Sequence, residues 1–322
     1  MKTLAFFTCT NGYGHSKRVF EVASYLKNDF DITVYASKEQ IEKFNPSGFK
    51  VVQYLLPNIL WKNSLEINNA LFNQYTKWND FYKKDFDKYD LVISDNLLLP
   101  LKYRKDTIIM GSFLWKDIFF SKFGINRIST EESKLLYTYK PLVITNKNVE
   151  IGSLREYKNK IQTDWGYEKQ KKFLFDNIKA LNRKTVHLIK PSFEYTPTYE
   201  EIFNVIANYT KDLHPRSPSM YRVTNKFEHT EDSIFVGRPG VGLITHCIEH
   251  SIPLLALFDP DDSIEIIELA QIVEDLNIGF KQNTKEPFNY SNFFNLRRHD
   301  IYYNKEFHYK GYKQIAEYIK KL

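Results

Sequence analysis

Residues Thr8–Leu26 read TCTNGYGHSKRVFEVASYL, and they follow an apolar run that begins at Leu4. The run Leu4–Cys9 is rich in strand-forming residues. Val19, Val22, Ala23 and Leu26 recur at helical spacing. Between them lies a polar turn with two glycines, so the stretch predicts strand, tight turn, helix. Gly12 and Gly14 lack Cβ atoms, which permits positive φ and lets a ligand approach the backbone closely. His15 then falls at the first turn of the helix, where the peptide dipoles disfavour an imidazolium and favour a neutral ring. Such a ring can take a proton from a hydroxyl or a water. The plainer reading of the same residues is a tight turn with a capping polar side chain.

Working outward, the same rhythm repeats. Strands are predicted at Ile32–Ala36, Lys50–Leu55, Leu91–Ser94, Thr107–Gly111 and Leu142–Thr145, and Ile59–Asp87 reads as an aromatic, lysine-rich helical insertion carrying Trp61, Trp78, Phe81 and Tyr82. Short strands separated by helices predict parallel βαβ units and a doubly wound sheet. A polar stretch, Glu150–Arg183, interrupts the pattern. It resumes with strands at Thr185–Ile189, Ile234–Val236 and Pro253–Phe258 and helices at Tyr199–Tyr209, Leu243–Glu249 and Ile264–Leu276. The amphipathic segment Tyr309–Leu322 comes last. The expectation is an α/β chain of two Rossmann-like domains facing a central cleft, residues 1–150 and 151–322, with the last helix crossing back.

In such sheets ligands gather beyond the carboxyl ends of the strands. Asn11–Arg18 belongs there, and so does Asp95, which ends the fourth strand in DLVISDN. Asp95 is a candidate to orient His15 or to bind a hydroxyl; as an N-cap of the next segment it would do neither. The second half carries SIFVGRPGVGLITHCIEHSIPLLALFDPDDSIEIIELAQIVEDLNIGF over residues 233–280. There a strand runs into R-P-G-x-G and a helix follows. Gly240 and Gly242 would open backbone N–H groups at a helix N-terminus to a diphosphate, with Arg238 adding a charge-assisted contact.

The spacing G-x-G-H-x-x-R, carried by Gly12, Gly14, His15 and Arg18, resembles the opening motif of GT-B-fold enzymes acting on nucleotide sugars. These include the lipid II-forming N-acetylglucosaminyltransferase and the pseudaminic-pathway UDP-sugar hydrolase. The far stretch is similar to the donor half of the UDP-glycosyltransferase group, with Gly240, Gly242, Pro253, Glu265, Ala270 and Gly279 on matching positions. It departs from that pattern where Leu243 replaces a small hydroxyl residue and His246 stands in place of the helix glutamate. Ile266, Leu269 and Asn277 likewise replace a glutamine, an asparagine and a glycine.

The resemblance implies inverting glycosyl transfer from a nucleoside-diphosphate sugar, a UDP-sugar, to a hydroxyl acceptor. No metal and no cofactor beyond the sugar nucleotide are implied. It makes His15 the catalytic base with Asp95 beside it and puts Asn11, Gly12, Gly14 and Arg18 on the acceptor side. Arg238, Gly240, Gly242, Leu243, Thr245, His246 and Glu265 fall on the donor side. The N-terminal domain would then take the acceptor and the C-terminal one the donor. Two alternatives stay open: a nucleotide-sugar hydrolase of the pseudaminic-pathway type, and a nucleotide-binding scaffold that has lost its chemistry.

Composition narrows the partners. The chain has 322 residues, 43% of them hydrophobic, and a net charge of +6, too mild to demand nucleic acid. A glycan, a glycolipid or a small molecule fits better as acceptor. Trp61, Lys62 and the segment Tyr75–Lys84 combine aromatics with lysines, a pattern compatible with peripheral membrane contact as well as with ordinary core packing. Cys9 and Cys247 lie far apart in apolar runs, with no disulfide framework and no Cys/His zinc spacing, and the acidic run Asp259–Asp262 reads as a loop. The apolar start is shorter than a signal-peptide core, and no stretch approaches a membrane span, so a cytoplasmic location is expected.

Overall fold

The computed structural model describes residues 1–54, 64–166, 184–189, 201–206, 221–224, 233–289, 291–292 and 310–322. Trp61 and Lys62 lie outside the described residues, as do the side chains of Trp78 and Phe81. The chain divides into two compact units, Met1–Gly166 with Lys310–Leu322, and Tyr167–Tyr309.

The first unit is built on a seven-stranded parallel sheet. Its strands are β1 (Lys2–Phe7), β2 (Phe30–Ala36), β3 (Lys50–Gln53), β4 (Leu91–Asp95), β5 (Ile108–Met110), β6 (Val143–Asn146) and β7 (Lys160–Thr163). They lie in the order β3-β2-β1-β4-β5-β6-β7. Leu4, Ala5, Phe6 and Phe7 are all buried, as an interior strand of a sheet covered on both faces must be. On one face, Leu4 and Phe6 meet Val19, Phe20, Val22, Ala23 and Leu26 of helix α1 (Tyr13–Leu26). Ile315, Ala316 and Ile319 of the final helix join the same core. On the other face Phe7 stacks on Tyr35 at 4.5 Å and tilts against Phe86 at 4.6 Å, from helix α3 (Leu65–Phe86); helices α4 (Trp115–Phe123) and α5 (Arg127–Tyr139) follow in the same unit.

β7 pairs with β6 through Val143↔Lys160 to Asn146↔Thr163, so the first unit runs past residue 150. Polar residues hide that strand in the sequence: Lys160 is drawn in by Glu150, at 2.6 Å, and Gln162 donates to the same carboxylate at 2.8 Å.

The second unit holds five parallel strands among its described residues: β8 (Lys184–Ile189), β9 (Tyr221–Thr224), β10 (Ser233–Gly237), β11 (Leu254–Phe258) and β12 (Gly279–Asn283). Their order is β12-β11-β10-β8-β9. Val186, Ile234, Val236, Leu255 and Leu257 form its core with Ile202, Phe203 and Ile206 from the helical residues 201–206. Gly279 is fixed by packing, since a Cβ there would lie 1.8 Å from the Leu254 carbonyl oxygen. Asn277, where the family pattern has glycine, adopts φ 53. Asparagine tolerates that left-handed backbone, so the departure keeps the turn.

Candidate active site

In the first sheet the chain reverses its winding direction between β1 and β4, which is where ligands collect in this class of sheet. The two loops leaving that point carry the candidate residues. Gly12 caps α1 with φ 73, a left-handed conformation that only glycine adopts without strain. His15 is the third residue of α1, and Arg18 lies one turn further along the same face. Both reach Asp95, the last residue of β4. His15 Nδ1 lies 3.1 Å from Asp95 Oδ2, and Arg18 Nη2 pairs with Asp95 Oδ1.

Asp95 is wholly buried. A lone carboxylate there would suffer a desolvation penalty of several kcal/mol, which the guanidinium and the imidazole offset together. An ionised carboxylate only accepts hydrogen bonds, so in a neutral His15 ring the proton belongs on Nδ1, toward Asp95, and Nε2 is the acceptor nitrogen. The His15 ring meets Phe113 edge to face at 6.0 Å, and Phe113 in turn meets Trp115 at 5.2 Å.

Two supporting residues escape a reading of the sequence. Gln40, on helix α2 (Lys38–Phe44), donates from Nε2 to the carbonyls of Cys9, at 2.9 Å, and Gly12, at 3.0 Å. It thereby ties down both ends of the turn holding Asn11. Its Oε1 accepts the Ser37 N–H at 3.1 Å. The capping-box spacing of Ser37 and Gln40 announces a helix start, but nothing local shows that the amide also reaches back to another loop. Asn96 is the second. It sits in the left-handed region at φ 58, and its Oδ1 lies 3.4 Å from Arg18 Nη2. Gly111 makes room for it, since a Cβ there would come within 1.7 Å of that oxygen. Cys9, at the base of the turn, is no nucleophile: burial and the nearby Asp95 charge push its thiol far above the usual range.

In the second unit, Gly240 is the N-cap of helix α6 (Val241–His250), with no side-chain cap and no acidic residue in the first turn. Gly242 and Leu243 follow in that turn. Among the described residues, a Cβ built at Gly240 or Gly242 meets nothing within 4 Å, and the same holds for Gly14 in the first unit. These glycines are therefore not demanded by packing inside their own units. Arg238 is engaged by the acidic loop. Its Nε and Nη2 lie 3.2 and 3.1 Å from Asp262 Oδ1, while Asp262 Oδ2 accepts the Asp259 N–H at 2.9 Å. Lys285 holds Asp259 at 3.2 Å and Asp261 at 2.7 Å.

Thr245 donates its hydroxyl to the Val241 carbonyl at 2.7 Å, within its own helix. His246 stacks on Phe235 at 5.8 Å and faces His250 at 4.3 Å. Glu265 stands half-buried in the first turn of helix α7 (Ile264–Asp275). Ile266 and Leu269, at positions where the family pattern is polar, are buried core residues of that helix. Of the matched polar positions on this helix, Glu265 alone keeps a polar side chain. Among the described residues no helix is long and apolar enough to cross a membrane.

No protein-family model and no curated protein matches the sequence. Solved structures do match the fold. The calicheamicin glycosyltransferase CalG4 aligns with a TM-score of 0.63 at 14% identity, over 100% of this chain and 98% of its own. MurG from Acinetobacter baumannii aligns with a TM-score of 0.62 at 11% identity, over 99% of this chain and 100% of its own. Arabidopsis thaliana UGT89C1, solved with UDP-L-rhamnose, aligns with a TM-score of 0.58 at 9% identity, over 100% of this chain and 93% of its own. With its two parallel sheets in these strand orders, the chain has the GT-B fold that these glycosyltransferases share.

Proposed function

We propose that this protein transfers a sugar from a nucleoside-diphosphate donor, a UDP-sugar, to a hydroxyl acceptor with inversion at the anomeric carbon. The observation that carries the reading is the pairing of His15 Nδ1 with the buried Asp95 carboxylate at 3.1 Å. That pairing leaves Nε2 as the basic nitrogen. In the proposed step Nε2 takes the proton of the attacking hydroxyl, the oxygen bonds to the anomeric carbon, and the bond to the diphosphate breaks. Asp95 offsets the charge of the imidazolium formed. General-base help of this kind contributes about 10²–10⁴ in rate.

The leaving diphosphate is assigned to the first-turn amides of α6 around Gly240, Gly242 and Leu243. Their dipoles favour an anion, and the two glycines leave the approach open. Glu265 is assigned to the hydroxyls of the transferred sugar. Arg238, held by Asp262, is assigned to bracing the loop beside that turn as well as to charge compensation. The UDP class draws support from the UDP-L-rhamnose complex of the fold neighbour UGT89C1.

The test is a thermal-shift screen of nucleoside diphosphates and their sugars, followed by product analysis of the stabilising donor with and without hydroxyl acceptors. The expected result is stabilisation by a UDP-sugar and acceptor-dependent release of UDP. Quantitative release of UDP in water alone would make the protein a hydrolase. No binding of any sugar nucleotide would remove the reading altogether.

A further inference from the structure

One cluster of side chains in the second unit is used by none of this chemistry. His246, Glu249 and His250 project from the last two turns of α6, and one ligand atom from each lies within 4.8 Å of the others. The two histidines are four residues apart, so their rings stand one above the other on the same face of the helix. Their ring centroids are 4.3 Å apart. Glu249 Oε2 lies 3.7 Å from His250 Nε2.

We infer that this trio is a binding site for a borderline divalent transition-metal ion of the zinc class. The donor set decides the class. Two imidazole nitrogens and one carboxylate oxygen suit Zn²⁺, Co²⁺, Ni²⁺ or Cu²⁺, whereas Mg²⁺ and Ca²⁺ require oxygen ligands. The geometry is close to sufficient. Around a tetrahedral centre with bonds of about 2.0–2.1 Å, ligand atoms lie about 3.3 Å apart. The present spread, within 4.8 Å, is wider than that, so binding requires the side chains to draw toward a common point.

Neighbouring groups hold the rings in place. Phe235 of β10 lies parallel to the His246 ring, with an interplanar angle of 3°. His250 is buried at the helix end, and the α6 backbone is capped there by Ser251 in the left-handed region, whose N–H reaches the carbonyls of Cys247 and Ile248. The Glu249 side chain is 26% exposed, which leaves an entry path for an ion. Three protein ligands leave a fourth position for water or an exogenous group. Cys247 is not part of the set: it is buried, and burial pushes its thiol far above the usual range. In the sequence the signal is H-x-x-E-H over 246–250, which a search for cysteine-based zinc spacings passes over.

This inference is independent of the proposed reaction, and its test uses no sugar substrate. The full-length protein, stripped with a chelator and dialysed, is titrated with Co²⁺ under visible spectroscopy and with Zn²⁺ by calorimetry. One equivalent of Co²⁺ is expected to develop d–d absorption, to be displaced by Zn²⁺ and to be unaffected by excess Mg²⁺. His246→Ala is expected to weaken binding by about 100-fold or more, and Glu249→Gln by about 10-fold. His250→Ala perturbs a buried position, so the test relies on the half-exposed His246 and Glu249, with circular dichroism confirming that both variants fold. Absence of Co²⁺ absorption in the wild-type protein, or unchanged Zn²⁺ affinity in both folded variants, would overturn the assignment.

Discussion

Asp95 Oδ2 lies 3.1 Å from His15 Nδ1, joining the carboxyl end of β4 to the first turn of α1 across 80 residues of sequence. The partners of this contact differ in burial, Asp95 at 0% and the His15 side chain at 14% exposed, so the acid is fixed while the ring remains within reach of solvent.

Replacing His15 by alanine is expected to lower kcat by about 10²–10⁴ while UDP affinity stays within a few-fold. Steady-state kinetics of the transfer and calorimetry with UDP check the two halves. Asp95→Asn removes the acceptor that fixes the tautomer and leaves Arg18 without its charge partner. It should lower kcat and also cost about 3 kcal/mol of stability in denaturant unfolding.

Gly242→Ala separates binding from folding. The position is helical, and the new methyl meets nothing within 4 Å among the described residues. Alanine should therefore stabilise the protein by roughly 0.5 kcal/mol. If the diphosphate rests on this turn, the same methyl should weaken donor binding. A protein that is both more stable and unchanged in UDP affinity would place the diphosphate elsewhere.

Gln40→Ala strips two carbonyls, Cys9 and Gly12, of a buried donor. About 2 kcal/mol of stability should be lost on chemical denaturation. The Asn11–His15 turn should loosen, raising KM for the acceptor more than Kd for UDP.

Glu132 gives the protein a pH signature. Burial is the main cause that raises its carboxyl to about 8, with the Asp117 charge adding to it, while the Lys116 N–H, donating at 2.8 Å, works the other way. Between the ordinary carboxylate range and about pH 8 the folded state holds a proton that the unfolded chain has released. Stability must therefore fall as pH rises through this window, by up to about 1.4 kcal/mol per pH unit. Glu132→Gln keeps an acceptor for Lys116 and has no proton to lose. It should flatten the dependence of stability on pH from about 5 to 8, measured by urea unfolding at successive pH values.

Much of the fold is legible in local patterns. The continuous apolar strand at Leu4–Phe7, the glycine cap at Gly12 and the helical repeat Val19–Leu26 are dictated by neighbours a few residues apart, which is the range over which backbone preference and periodicity act. The same holds for the second glycine turn at Gly240. β7 escaped because its lysine and glutamine are satisfied by Glu150, a contact no periodicity encodes.

The candidate site divides along the same line. By itself the sequence determined which residue types stand at the strand ends and which turns open a helix, because glycine conformation and apolar spacing are local properties. Only the tertiary structure decided that Asp95 serves both His15 and Arg18, that Gln40 clamps the turn, and that Arg238 belongs to Asp262. It also decided that Ile266 and Leu269 are core. These follow from strand order and burial, choices made by the whole sheet when it covers its two faces, and no stretch of a dozen residues contains them.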